Sequence, residues 1–119
     1  MILVRLGFAA SLAVAAACHA YLYIHGYQHI PSIGTGFLVQ SSVGFALAAA
    51  IALGGPGWLE WAAAALASGS LVAFALSRTV GVLGFSEQGW VPSPYAALSV
   101  GAEALTVLFW VWGRIAGRR

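Results

Sequence analysis

The chain has 119 residues, of which 61% are hydrophobic and 7% charged, with a mean hydropathy of +0.92 and a formal net charge of +2. A soluble domain carries roughly 25% charged residues, so this chain lacks the polar surface that a water-facing fold requires. Five Arg, three Glu and no Lys provide no basic stripe for nucleic acid, and a lone Cys18 excludes an internal disulfide or a cysteine metal site.

Four stretches are long enough to cross the roughly 30 Å hydrocarbon core of a bilayer at 1.5 Å per residue. They lie near residues 4–24, 34–53, 58–78 and 94–113 and predict an all-α, four-helix polytopic membrane bundle, a single transmembrane domain over 1–119. The N-terminal run has a leader-like look, and Ala15-Ala16-Ala17-Cys18 faintly resembles a lipoprotein cleavage site. Ala15 stands where such sites carry Leu, and the apolar sequence continues to Ile24, so the run reads as a first span. Its face Ser11, Ala15, Cys18 and Leu22, with His19 beside it, reads as a packing surface.

Pro31, Gly34 and Gly36 punctuate the first connection. In the second span Gly36, Gln40, Gly44 and Ala48 recur every four residues, a small-residue ridge for close helix contact, with Gln40 able to hydrogen-bond across it. The GGPG link at 54–57 is short enough to predict an antiparallel hairpin of spans two and three. Glu60 falls in the first turn of span three, where the helix dipole favours an acid. Ser70 and Ser77 follow on one face, and Arg78 ends the span. Pro92 and Pro94 precede span four, where Ser99, Glu103 and Thr106 lie at i, i+4 and i+7 and share a stripe.

Arg5, Arg114, Arg118 and Arg119 gather at the two ends of the chain. An even number of spans places both ends on one side, which the positive-inside rule makes cytoplasmic in a cell (inner) membrane. The connections 25–33 and 79–94 then face outward, with Arg78 the one outer arginine. Tyr21, Tyr23, Tyr27, Trp90 and Tyr95 suit an outer interfacial belt, and Trp58, Trp61, Trp110 and Trp112 an inner one.

Glu103 is the residue that most asks for a function. A carboxylate at bilayer depth costs a few kcal/mol, and such groups face protein or a water-filled cavity rather than lipid. Counting rise per residue places Glu103 within about 3 Å of the midplane, Gln40 roughly 5 Å and His19 roughly 8 Å to its outer side. Glu103, His19, Gln40, Ser99 and Thr106 therefore form a candidate polar pocket, opening outward under the two long loops, with Gln40 a hydrogen-bonding partner for the acid. Arg78 is expected to reach outward and pair with Glu87, and a direct Arg78–Glu103 pair, which would have to cover roughly 15 Å of depth, is not expected.

No nucleophile–base pair, phosphate loop or metal motif is present, so no catalytic, cofactor-binding or metal-binding set is expected. The reading is a non-enzymatic accessory or structural subunit of a membrane assembly, in contact with membrane lipid and with another membrane protein or its own copies. The alternatives are a small proton-coupled transporter using Glu103 and a b-type haem protein using His19. The haem reading lacks a second histidine within a span.

The length and four-span topology resemble the small multidrug resistance transporters. That family carries its essential acid in the first span, where this chain has none, so Glu103 is not a counterpart of that residue. The runs HGYQHIPSIGTGFLVQ and LSRTVGVLGFSEQGW are similar to a group of small four-span integral membrane proteins of actinobacteria. That resemblance implies a membrane protein and carries no activity or site residues with it.

Overall fold

The computed structural model describes residues 2–116 and, among them, contains four long helices and no strand. They are α1 (Ile2–Ile24), α2 (Ile33–Ala52), α3 (Trp58–Ser77) and α4 (Tyr95–Ala116). Each is long and apolar enough to cross a membrane. They run up and down in an elongated bundle of 45 × 24 × 22 Å. The 25–32 and 78–94 connections share one end, here the loop end; the short 53–57 link lies at the opposite, terminal end. Predicted Arg118 and Arg119 lie outside the described residues.

Local chemistry sets the breaks. Gly54 takes φ +85 after α2, its N–H and that of Gly55 bonding the Ile51 and Ala50 carbonyls at 3.0 and 2.9 Å. This is the left-handed stop that glycine supplies without a Cβ penalty. Pro56 then prevents the helix from continuing. At the other end, a 3₁₀ turn at Tyr27–His29 lies against the start of α2. A Cβ on Gly34 would fall 2.7 Å from the Tyr27 carbonyl oxygen and 2.8 Å from that of Gln28, so only glycine lets this turn seat.

The core sits in the terminal half. Phe8, Leu12, Leu47, Ala48, Ile51, Leu59 and Ala63 form one buried cluster, with Phe109 and Trp110 packed against it. Close approach comes from small residues: a Cβ on Gly44 would meet Ala16 Cβ at 3.0 Å, so α1 and α2 nearly touch. An ion pair closes the same end, where Arg114 Nη2 stands 3.0 Å from Glu60 Oε1. Thus Glu60, expected to serve the helix dipole, also joins α3 to α4.

The short link yields the expected antiparallel hairpin of α2 and α3, although these two helices make the sparsest contact of any adjacent pair in the bundle. The predicted ridge on α2 needs correction, because it is divided. Gly44 and Ala48 are buried against the bundle, whereas a Cβ on Gly36 would meet nothing within 4 Å. The reason lies on α3, whose facing residues Ala65, Gly69, Ser70 and Ala73 are too small to bridge the gap. The exterior is apolar, with Leu53, Val72, Leu108 and Ile115 among many large side chains left uncovered.

Candidate functional site

The separation of α2 from α3 leaves a cavity of about 530 Å³ in the loop half. Its walls are largely apolar: Phe37 on α2, Leu66 and Phe74 on α3, and Val100 on α4. Its floor is polar and comes from three helices, His19 on α1, Gln40 on α2, and Ser99 and Glu103 on α4. Residues that line it yet remain exposed, Gly36 and Val39 on α2 and Ala65, Gly69 and Ala73 on α3, mark an opening along the side of the bundle. The two long loops lie over the outer end of the pocket, as expected, and the opening is toward the flank rather than outward.

Glu103 is 2% exposed. Its Oε2 accepts a 3.0 Å hydrogen bond from Ser99 Oγ, one turn earlier on the same helix face. His19 Nε2 stands 3.9 Å from that same oxygen. The other ring nitrogen of His19, Nδ1, lies 2.8 Å from the Ala15 carbonyl oxygen. A carbonyl only accepts, so Nδ1 carries a proton, and Nε2 is the ring atom turned toward Glu103. Phe37, with its ring centroid 4.7 Å from that of His19, holds the imidazole in place.

Gln40 is 5% exposed, and its Oε1 is buried without a hydrogen-bond partner. The expected Gln40–Glu103 hydrogen bond is therefore not made, although both residues line the same cavity. Thr106 also departs from the expected set. It lies about one turn closer to the terminal end than Glu103, where its Oγ1 stands 2.7 Å from Ser11 Oγ and donates to the Ala102 carbonyl at 3.1 Å. Thr106 thus ties α4 to α1, and Ser11, expected on a plain packing face, is its partner.

The roof is held by Tyr27, Arg78 and Glu87. Arg78 Nη1 stands 3.4 Å from Glu87 Oε1, and Tyr27 Oη donates to Glu87 Oε2 at 2.5 Å. The guanidinium also donates to the carbonyls of Gly89 and Val91 and lies 4.1 Å over the Phe74 ring. Arg78 is therefore folded back over the bundle rather than extended into solvent. Tyr27 stacks on Phe37 at 4.8 Å, so the roof touches the wall that supports His19. Burial, together with the hydrogen bond to the Glu87 carboxylate, raises the Tyr27 phenol above its ordinary value. Tyr27 was legible only as a belt residue, because its partner lies 60 positions away in sequence.

Among the described residues no three His, Cys, Asp or Glu side chains converge as a metal-binding group. His25 is instead tied to its own helix, Nδ1 lying 2.8 Å from the Tyr21 carbonyl and the ring stacked on Tyr21. Comparison of the chain with protein-family models, with curated proteins and with solved structures finds no match.

Proposed function

We propose that this chain is a non-enzymatic multi-pass protein of the cell membrane, both ends cytoplasmic, that binds a small apolar ligand in the loop-half cavity. Glu103 gives up or takes a proton as the ligand enters and leaves, which makes the protein a small proton-coupled carrier. Helix length, the uncovered apolar exterior and the arginines at the terminal end support the membrane placement. Lipid and further copies of the chain are its expected surroundings, and it is grouped with the small actinobacterial membrane proteins that it resembles.

One observation carries the ligand reading: a buried acid and a histidine ring nitrogen meet on the floor of a cavity whose walls are largely apolar and open to the flank. A purely structural acid has no need of the space beside it. Polar groups at such depth mark ligand and proton pathways. The terminal half, closed by the Phe8 cluster, supplies the seal that a one-sided binding state requires.

The test is dye-reported proton movement in proteoliposomes made with lipid from the native membrane, under an imposed pH gradient. Wild-type protein is expected to move protons and Glu103→Gln to stop doing so. Movement that survives the substitution unchanged removes Glu103 from the mechanism. A second reading, an accessory subunit of a membrane assembly, draws on the apolar groove between α1 and α4 lined by Leu3, Leu108, Phe109 and Trp112. A stoichiometric partner retained after mild extraction, with no proton movement, would decide for it.

A further inference from the structure

We propose that the ligand is an apolar alcohol or phenol whose single hydroxyl binds between His19 and Glu103 while its hydrocarbon body fills the cavity and leaves through the α2–α3 cleft. The inference rests on the cavity being a ligand site, as proposed above, and goes on to name the ligand's chemistry. The gap between His19 Nε2 and Glu103 Oε2 is 3.9 Å, too long for a direct hydrogen bond. One oxygen about 2.8 Å from each atom closes it, at an angle near 90°. Because Nδ1 is committed to the Ala15 carbonyl, Nε2 is free to accept. With one proton shared by the pair, a hydroxyl donates to one partner and accepts from the other, and every atom is satisfied.

Other head groups fit less well. A carboxylate or phosphate anion would bury a net charge against a pair that one shared proton leaves neutral, and a carboxylate has no proton to donate to the second partner. The cation of the cavity lining, Arg78, is already engaged by Glu87 and by the carbonyls of Gly89 and Val91. An ammonium would have to shed its water and pass apolar walls to a floor about 12 Å below the start of α4, at a cost of several kcal/mol. A phospholipid head group stays at the membrane surface for the same reason. A hydroxyl carries no such penalty. The unpartnered Oε1 of Gln40 is a further acceptor on α2 at the same cavity, and it offers nothing to a carboxylate or phosphate.

The probes are dodecanol, dodecyl methyl ether, dodecylamine and dodecanoate, titrated calorimetrically into protein in phosphatidylcholine nanodiscs, with empty nanodiscs subtracted. Dodecanol is expected to bind at one site, about tenfold or more tighter than its methyl ether, the worth of one hydrogen bond. Dodecylamine and dodecanoate are expected to bind more weakly than dodecanol. His19→Phe keeps the packing against Phe37 and is expected to erase the preference for dodecanol over the ether. Gly69→Leu adds a side chain at the flank opening, where a Cβ meets nothing within 4 Å, so the fold accepts it and dodecanol is expected to bind more weakly.

Equal binding of dodecanol and its ether would mean that only water bridges the pair, and it would overturn the proposal. So would a preference for the amine, or loss of the dodecanol signal on adding phosphatidylglycerol, whose head-group hydroxyls would then own the site. The outcomes separate from those of the carrier reading. Proton movement lost in Glu103→Gln with no dodecanol preference sinks only the hydroxyl. Preference retained with no proton movement sinks only the coupling.

Discussion

The two halves of this bundle are built from the same helices and behave as different materials. In the terminal half, α1 carries Phe8 and Leu12 into a closed cluster with residues of α2 and α3, and glycine draws α1 and α2 together. In the loop half, the small residues of α3 face a gap, and polar groups from three helices line its floor. The difference teaches that small residues in a long apolar helix have two opposite uses. Facing a matching small residue, as Gly44 faces Ala16, they bring backbones into contact. Lining a splayed pair with no neighbour within reach, as Gly36 and Gly69 do, they leave room for something else.

The sharpest way to break this comparison is to empty the closed half. Phe8 is 0% exposed, and Phe8→Ala removes the centre of the cluster along with its contact to the Phe109 ring 6.0 Å away. Loss of a buried phenylalanine costs about 3–5 kcal/mol because the surroundings collapse only in part. Equilibrium unfolding in mixed micelles should show that loss. A cost under about 1 kcal/mol would mean that the terminal half is as loosely filled as the loop half.

A smaller effect is expected at the boundary between the halves. The Ser11 and Thr106 hydroxyls form a short chain, one donating across the α1–α4 contact and the other to a backbone carbonyl of its own helix. Ser11→Ala should cost about 0.5–1.5 kcal/mol, the range for a buried hydroxyl pair between packed helices. The double variant Ser11→Ala with Thr106→Val should cost less than the two single changes added together. Strict additivity would show that the 2.7 Å contact contributes nothing and that the boundary is held by packing alone.

What was legible in the sequence follows from how each feature is encoded. Span length and breaks are local properties, so the four helices could be placed within a few residues of where they lie. Glu103 announced itself as an acid in an apolar run, and the i, i+4 spacing put Ser99 beside it. Thr106 shares that stripe but lies three residues deeper, where it meets α1 at Ser11 rather than the cavity; the axial offset between two helices is not written in the periodicity of either one. The splay of α2 from α3 was hidden for a related reason, since a short link fixes where two helices begin and leaves their divergence to the side chains between them. Tyr27 was missed because its role depends on a loop residue brought to it by the whole fold.

The roof offers the smallest and most local test. Tyr27→Phe keeps the stack on Phe37 and deletes only the hydrogen bond to Glu87, so a neutral-pH loss under about 1 kcal/mol is expected. The pH dependence has a definite sign. The folded phenol titrates above its unfolded value of about 10, so the unfolded chain releases this proton first as pH rises. Its contribution is therefore complete below about pH 10 and is lost as pH climbs toward the folded value. Wild-type stability should fall on the alkaline side more steeply than that of Tyr27→Phe, and the 79–94 amides of the variant should exchange faster at neutral pH. Superimposable alkaline profiles and unchanged exchange would show that the roof is held by Arg78 alone, and that the loop half is closed as firmly without Tyr27 as with it.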